Sequence, residues 1–183
     1  EGGIPALNRL GQDFENLEVF LPELMMAGDT MKILIEVVTP HLEGGKGAYK
    51  GTIVMGCAQG DLHDIGKSLV GTQLEVHGFK VIDLGTDVKT NTFIEAAAAN
   101  NADVIAVSSL LTTSQYYMEE LIRRLDTDGI RDKYRVAIGG GPISPEYAEK
   151  IGADGYARTA DQSARMMERL IKVQPGQELV IEV

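Results

Sequence analysis

The stretch Thr52-Ile53-Val54-Met55-Gly56-Cys57-Ala58-Gln59-Gly60-Asp61-Leu62-His63-Asp64-Ile65-Gly66-Lys67-Ser68-Leu69-Val70 decides the fold. It runs from a short apolar segment, through a polar turn bracketed by glycines, into a segment of helical texture, which is the pattern of a strand–turn–helix unit. The same rhythm recurs on the way to the C-terminus. Thr52–Cys57 precedes Lys67–His77, Lys80–Leu84 precedes Asn91–Asn100, and Val104–Ser108 precedes Tyr116–Leu125. Tyr134–Ile138 precedes Pro145–Ile151, and a weak Gly155–Ala157 run precedes Asp161–Ile171. Five such pairs joined by short turns predict an α/β fold, a five-stranded parallel sheet covered by helices on both faces. Open sheets of this kind bind ligands beyond the carboxyl ends of their strands, near the point where strand order reverses. The turns that follow strands are therefore where chemistry is sought.

Upstream the texture is different. From Ile4 to Leu42 apolar residues recur at helical spacing: Leu17, Phe20, Leu21, Leu24, Met25, Met31, Leu34, Ile35, Val38 and Leu42. Pro22 suits a first helical turn, and Thr39-Pro40 predicts a kink or a stop. Met25, Met26 and Met31 read as core, since methionine fills irregular gaps. The glycine-rich run from Glu43 to Tyr49 reads as a linker. The chain thus divides into a helical cap (1–43), a linker (44–50), an α/β domain (51–173) and a tail (174–183). The tail alternates weakly and fits either an edge strand or a disordered end.

Composition narrows the possible functions. The 183 residues are 44% hydrophobic and 24% charged, enough apolar mass for a core, which excludes a disordered or collagen-like chain. A net charge of -10 repels phosphate backbones and argues against nucleic acid as a partner. No apolar run approaches the ~18–20 residues that cross a bilayer, so no membrane partner is expected. The single cysteine, Cys57, permits no internal disulfide and fits a reducing cytoplasm. Because it starts at Glu1 rather than Met, the chain is expected to be processed, excised or trimmed.

The turn Gly60-Asp61-Leu62-His63-Asp64-Ile65-Gly66-Lys67-Ser68 holds the chemistry. Gly66-Lys67-Ser68 copies the end of a phosphate-binding loop, but that motif needs four residues between its glycines and Gly60 to Gly66 encloses five. Asp61 would also set a carboxylate against anionic phosphates. Gly139-Gly140-Gly141 fails as a dinucleotide fingerprint because Ser144 stands at the third glycine position. What remains is a histidine two residues from an aspartate. A carboxylate that accepts the proton of one imidazole nitrogen fixes the tautomer and frees the other nitrogen for a metal. Most Asp-x-His triplets are only surface loops. One histidine is also a poor site by itself, because zinc takes three or four protein ligands and neither His41 nor His77 has metal spacing to His63. A metal held here brings its other ligands with it, as in a macrocycle.

Asp61-x-His63-x-x-Gly66, then Ser108-x-Leu110, then Gly139-Gly140, each after a successive strand, resembles the three-part signature of cobalamin-binding domains. The segment Phe20–Gly28 resembles the helical cap of methyl-transferring corrinoid proteins, including the cobalamin module of methionine synthase. The resemblance runs from about Leu7 to Val173. It implies a Rossmann/flavodoxin-like sheet with a partial four-helix cap, whose first helices are expected to lie outside this chain. The implied cofactor is cobalamin (methylcobalamin or another corrinoid, with cobalt). By similarity His63 is the lower cobalt ligand, and His63, Asp61 and Ser114 form a relay that moves a proton as cobalt changes oxidation state. The implied binding residues are Gly60, Asp61, Leu62, His63, Asp64, Ile65, Gly66 and Val70 around the first turn. Ser108, Leu110, Thr112, Gly139 and Gly140 would line a slot for the cofactor's nucleotide tail, with Tyr156, Ala157 and Ala160 as its far wall. Phe14 and Leu21 would shield the upper cobalt face, although periodicity alone makes them core residues of a helix pair.

The function implied is that of a methyl carrier serving a substrate-specific methyltransferase and a second, folate or thiol, methyltransferase. Both partners are expected to be TIM-barrel proteins, and a reductive activase completes the set. The alternative is the cobalamin subunit of an adenosylcobalamin-dependent mutase, which shares the sheet domain but lacks this cap. A cobalamin-dependent regulator would need an output module, and nothing sufficiently basic is present. A flavodoxin-like module with another ligand stays open on fold alone.

Overall fold

The structure, a computed structural model, describes residues 3–38, 49–177 and 179–182. Two helices come first, α1 (Gly3–Glu15) and α2 (Leu21–Val38). The α/β part follows as β1 (Thr52–Cys57), α3 (Ile65–Val76), β2 (Lys80–Asp83), α4 (Thr90–Ala99) and β3 (Val104–Ser108). It continues with α5 (Gln115–Thr127), β4 (Arg135–Gly139), α6 (Pro145–Ile151), β5 (Gly155–Ala157), α7 (Ala160–Leu170) and β6 (Val180–Glu182). Strand order is β2-β1-β3-β4-β5-β6, and every pairing is parallel. The order reverses between β1 and β3, so the turns after those two strands flank the crevice where such sheets bind ligands.

The two faces of the sheet carry different side chains. Val54, Ile105, Val107, Val136, Ile138 and Tyr156 pack with Phe93 of α4, Met118 and Leu125 of α5, and Ile151 of α6. The opposite face carries Ile53, Met55, Val104, Ala106, Ala137 and Ala157, packed with Leu74 of α3 and Met166, Met167 and Leu170 of α7. On this second face the side chains shrink toward the carboxyl ends. Val104 gives way to Ala106 and Ser108, paired in register with Ala137 and Gly139. Side chains that small cannot fill the space between the sheet and the pair α3–α7, and a furrow is left.

The helical pair docks elsewhere. Leu24 and Met31 of α2 form a small cluster with Val76 at the end of α3, with Phe14, Ala27 and Tyr49 packed against it. Gly11 and Gly28 face the same valine, so that a methyl group on Gly11 would lie 3.6 Å from it. Val76 lies ~16 Å along α3 from the turn that carries His63, at 1.5 Å of rise per residue.

Several expectations are corrected here. Only Met31 of the three methionines is core; Met25 is 49% and Met26 70% exposed. Both lie on a part of α2 that α1 and the end of α3 leave uncovered. Leu17 and Phe20 fall in the connection between α1 and α2, Leu17 with φ of 62°. Thr39-Pro40, Leu42 and most of the linker (44–48) lie outside the described residues, as do the side chains of Ile35 and Val38. The sheet has six strands, not five, because the tail supplies β6 beside β5. Among the described residues no helix is long and apolar enough to cross a membrane.

Asp154 secures that sixth strand. Its Oδ2 accepts the Val136 N–H at 2.6 Å and pairs with the Arg131 guanidinium at 2.8 Å, while Oδ1 accepts the Gly176 N–H at 2.5 Å. Its carbonyl accepts the Val180 N–H at 2.8 Å. The side chain is buried, so Asp154→Ala strands a cation and two amides. Urea unfolding should show a loss of roughly 3 kcal/mol, with faster hydrogen exchange at Val180–Glu182. A change too small to measure would show that the carboxylate is dispensable.

Candidate functional site

The turn after β1 is built from backbone hydrogen bonds. The Ala58 N–H donates to the Ser108 carbonyl at 2.9 Å and the Asp61 N–H to the Ala58 carbonyl at 3.0 Å. Gly60 sits at φ of +82°, a left-handed conformation that suits glycine. The chain then enters α3 at Ile65, with Asp64 at the cap position but its side chain making no cap bond.

Asp61 is fully buried, yet its carboxylate is well supplied with donors. Oδ1 accepts the His63 N–H at 2.9 Å and faces His63 Nδ1 at 2.8 Å. Oδ2 accepts the N–H groups of Leu110 at 2.5 Å and Leu111 at 3.2 Å, and the Ser114 hydroxyl lies at 3.3 Å. Burial by itself would raise the Asp61 pKa. The His63 and Leu110 amides, the His63 ring and the Leu111 amide outweigh it and hold the carboxyl down at about 2. An ionised acceptor at Nδ1 leaves the neutral ring with its lone pair on Nε2. The ring is 52% exposed, and among the described residues no hydrogen bond to Nε2 is formed.

Ser114 is buried at the start of α5, with its hydroxyl 2.9 Å from the Leu111 carbonyl and 2.6 Å from the Ser109 hydroxyl. The three residues expected to form a relay, His63, Asp61 and Ser114, are thus brought together in one hydrogen-bonded series, which extends to Ser109, a residue that sequence reasoning passed over. The Cys57 thiol donates to the His63 carbonyl at 3.3 Å. Burial, the largest influence, pushes the thiol pKa up to about 11, so the group stays protonated. Cys57 is thus a small buried residue at the end of β1.

Beside His63 opens a cavity of about 490 Å3, within the ~300–1,000 Å3 range of small-ligand sites. It occupies the furrow between the sheet, α3 and α7. Among the expected site residues Leu62, His63, Asp64, Ile65, Gly66 and Val70 line it, and so do Ser108, Leu110, Gly139, Gly140, Ala157 and Ala160. Gly60, Asp61 and Ser114 stand behind the imidazole rather than in the cavity wall.

Four residues are corrected. Tyr156 points to the other face of the sheet, where its hydroxyl donates to the Ile143 carbonyl at 3.0 Å, because side chains along a strand alternate and Ala157 takes the cavity side. Thr112 is exposed in the turn after β3 and does not line this cavity. Phe14 packs against the cluster at Val76, and Leu21 lies at the start of α2 with about a third of its surface exposed. Among the described residues, none of those lining the cavity comes from α1 or α2. Gly140 is dictated by the backbone: at φ of +128°, a methyl group there would lie 1.9 Å from the Ser109 carbonyl oxygen. Glycine is required by that crossing of backbones. Gly139, by contrast, would meet only the Ala157 carbonyl, at 3.6 Å.

Sequence reasoning missed the floor. Met55, Ala106 and Ala137, with Met166 and Met167 of α7, close the cavity from below. The alternation of large and small residues in β3 and β4 was the available signal.

The site suits a metal that arrives inside an organic ring. Among the described residues no cluster of three or more His, Cys, Asp or Glu could hold a bare ion. One imidazole nitrogen is presented, and around it Leu62 (70% exposed), Ile65 (85%), Leu110 and Leu111 form an apolar collar. A macrocycle can cover such a collar while its metal takes Nε2, and a side arm can enter the adjacent cavity. The residues present fit a corrinoid.

The depressed Asp61 pKa has a consequence for the protein without cofactor. A carboxyl whose folded pKa lies below its unfolded value near 3.8 stabilises the native state above pH 4. That contribution fades as pH falls toward 2. The stability gap between the unmodified chain and Asp61→Asn should narrow by about 2 kcal/mol between pH 5 and pH 2 in denaturant titrations. A gap independent of pH would show that Asp61 is not held ionised.

Comparison with known proteins agrees with this geometry. The family described as "B12 binding domain" matches residues 51–165, and a second B12 binding domain family matches residues 1–39. A corrinoid protein of Desulfitobacterium hafniense is 39% identical over 173 residues, 93% of this chain and 80% of the relative. The dimethylamine corrinoid protein of Methanosarcina barkeri is 41% identical over 173 residues, 93% of this chain and 81% of the relative. In the crystal structure of the methanol:cobalamin methyltransferase complex of Methanosarcina barkeri, one chain superposes with a TM-score of 0.82 at 27% identity, covering 94% of this chain and 66% of that one. With a matching family model over most of its length and relatives about 40% identical across nearly all of it, this chain belongs to the B12-binding domain family, as a cobalamin-binding corrinoid protein of the kind found in methyltransferase systems.

Proposed function

We propose that this chain is a cytoplasmic methyl carrier, taking a methyl group from a substrate-specific methyltransferase and presenting it to a second one that acts on a folate or a thiol. The observation that carries the reading is the His63 imidazole, fixed at Nδ1 by a buried carboxylate and offering Nε2 at the lip of a ligand-sized cavity. When bound, the corrinoid supplies a cobalt centre that accepts and releases the methyl group. The protein supplies the rest. His63 would hold the metal through Nε2, Asp61 holds the imidazole tautomer, and Ser114 with Ser109 gives the carboxylate a hydroxyl pair through which a proton can be shared. The apolar collar would carry the ring, and the furrow over Ala106 and Ala137 would hold the cofactor's nucleotide tail.

The helices α1 and α2 support a carrier rather than the subunit of a mutase, as does the name of the dimethylamine corrinoid protein. They pack at the far end of α3, leaving the collar uncovered among the described residues. An uncovered collar suits a cofactor that must be met in turn by two methyltransferases, expected to be TIM-barrel proteins, and by a reductive activase.

Reconstitution with hydroxocobalamin should give a red protein whose Co(II) form, after reduction, shows coupling to one histidine nitrogen. His63→Ala should abolish that coupling while circular dichroism stays unchanged; persistence of the coupling would move the ligand role to another residue. Ala137→Phe should fill the furrow and weaken corrinoid binding by an order of magnitude or more, at about 1.4 kcal/mol per tenfold. Equal affinity in a titration would show that the tail does not lie there.

A further inference from the structure

We propose that Asp87 is a positioning residue for the turn that carries Asp61 and His63, a role that rests on the reading of His63 as cobalt ligand. Asp87 lies outside the Asp-x-His turn, in the connection between β2 and α4. It adopts φ of +53°, a left-handed conformation that aspartate and asparagine tolerate better than other residues with a side chain. In that conformation it makes two contacts with the turn. Its Oδ1 accepts the Gly60 N–H at 2.7 Å, and its own N–H donates to the Asp61 carbonyl at 2.9 Å. The next residue, Val88, is buried, bridges to Ala58 and donates its N–H to the Cys57 carbonyl at 3.0 Å. The clamp is therefore anchored on the end of β1.

Gly60 has little else to hold it. A methyl group at that position would meet nothing within 4 Å, so packing does not set its place and hydrogen bonds must. Asp61 is then held from two strand ends. Leu110 and Leu111, after β3, fix its carboxylate, while Asp87, after β2, fixes its main chain. The His63 ring is directed by both, because its Nδ1 and its backbone N–H bond the same carboxylate oxygen. Outer partners of this kind orient a metal-ligating imidazole without touching the metal.

The test is a series at position 87 in the full chain, reconstituted with hydroxocobalamin and reduced to Co(II). Asp87→Asn keeps both an acceptor oxygen and tolerance of the left-handed backbone. Asp87→Gly keeps the backbone alone, and Asp87→Ala keeps neither. Electron paramagnetic resonance on 15N-histidine-labelled protein reads the ratio of histidine-ligated to unligated cobalt. That ratio should fall about tenfold in the Gly and Ala variants and be restored in the Asn variant, with bound corrinoid and circular dichroism unchanged. Should Asp87→Ala not fold, the Asn and Gly variants decide the matter. Equal ratios across the series, or an Asn variant no better than Gly, overturns the proposal while leaving His63 as ligand. Absence of histidine coupling in the unmodified chain overturns the ligand reading and this one together.

Discussion

The site depends on one buried negative charge. A carboxylate removed from water is tolerated only when its oxygens are occupied by donors, and Asp61 meets that condition with groups from two separate turns. The His63 N–H and ring come from the turn after β1, and the Leu110 and Leu111 amides with the Ser114 hydroxyl from the turn after β3. The same interaction that makes the charge bearable ties the two turns together across the switch point of the sheet. It also determines the chemistry presented outward, because an ionised acceptor at Nδ1 decides which imidazole nitrogen carries the lone pair.

The second constraint is volume. Parallel sheets between helices are ordinarily packed with branched residues, and Ile53, Val104 and, on the opposite face, Val54, Ile105, Val107, Val136 and Ile138 follow that habit. At the carboxyl ends of β3 and β4 the habit is suspended on one face only. Ala106, Ser108, Ala137 and Gly139 leave the helices α3 and α7 without a partner there, and the resulting furrow reaches the imidazole. Unfilled space in a core is destabilising, so a floor of small residues is expected where a ligand supplies the missing contacts. Methionines 55, 166 and 167 border the furrow and can adapt to what enters it.

The helical pair follows a different logic. Its contact with the α/β part is a patch around Val76, with much of the apolar surface of α2 left outside. Gln73, fully buried near Gly11, has neither amide atom hydrogen-bonded. Among the described residues such a seam has a small apolar cluster and an unsatisfied polar group, which marks it as weak beside the cores on either side of the sheet.

Much was legible in the residues. β1, β3, α6 and β5 fall on their expected bounds, because short β-branched runs and glycine-bounded turns are local signals. The Asp61–His63 pair was legible too, since a two-residue spacing in a turn brings carboxylate and ring together whatever surrounds them. Position in three dimensions was not. Tyr156 and Ala157 are neighbours in sequence, and only the register of β5 in the sheet sends one to the core and the other to the cavity. Gly140 carries no trace in sequence of the Ser109 carbonyl that excludes a side chain there, because the crossing strand end is thirty residues away. The tail became a strand through partners distant from it in sequence, by pairing with β5 and through Asp154, whose donors come from β4, Arg131 and Gly176. Local pattern, in short-range contacts, determined the elements and the ligand pair; long-range packing decided which side chains share a face, where the furrow runs and what the helical pair covers.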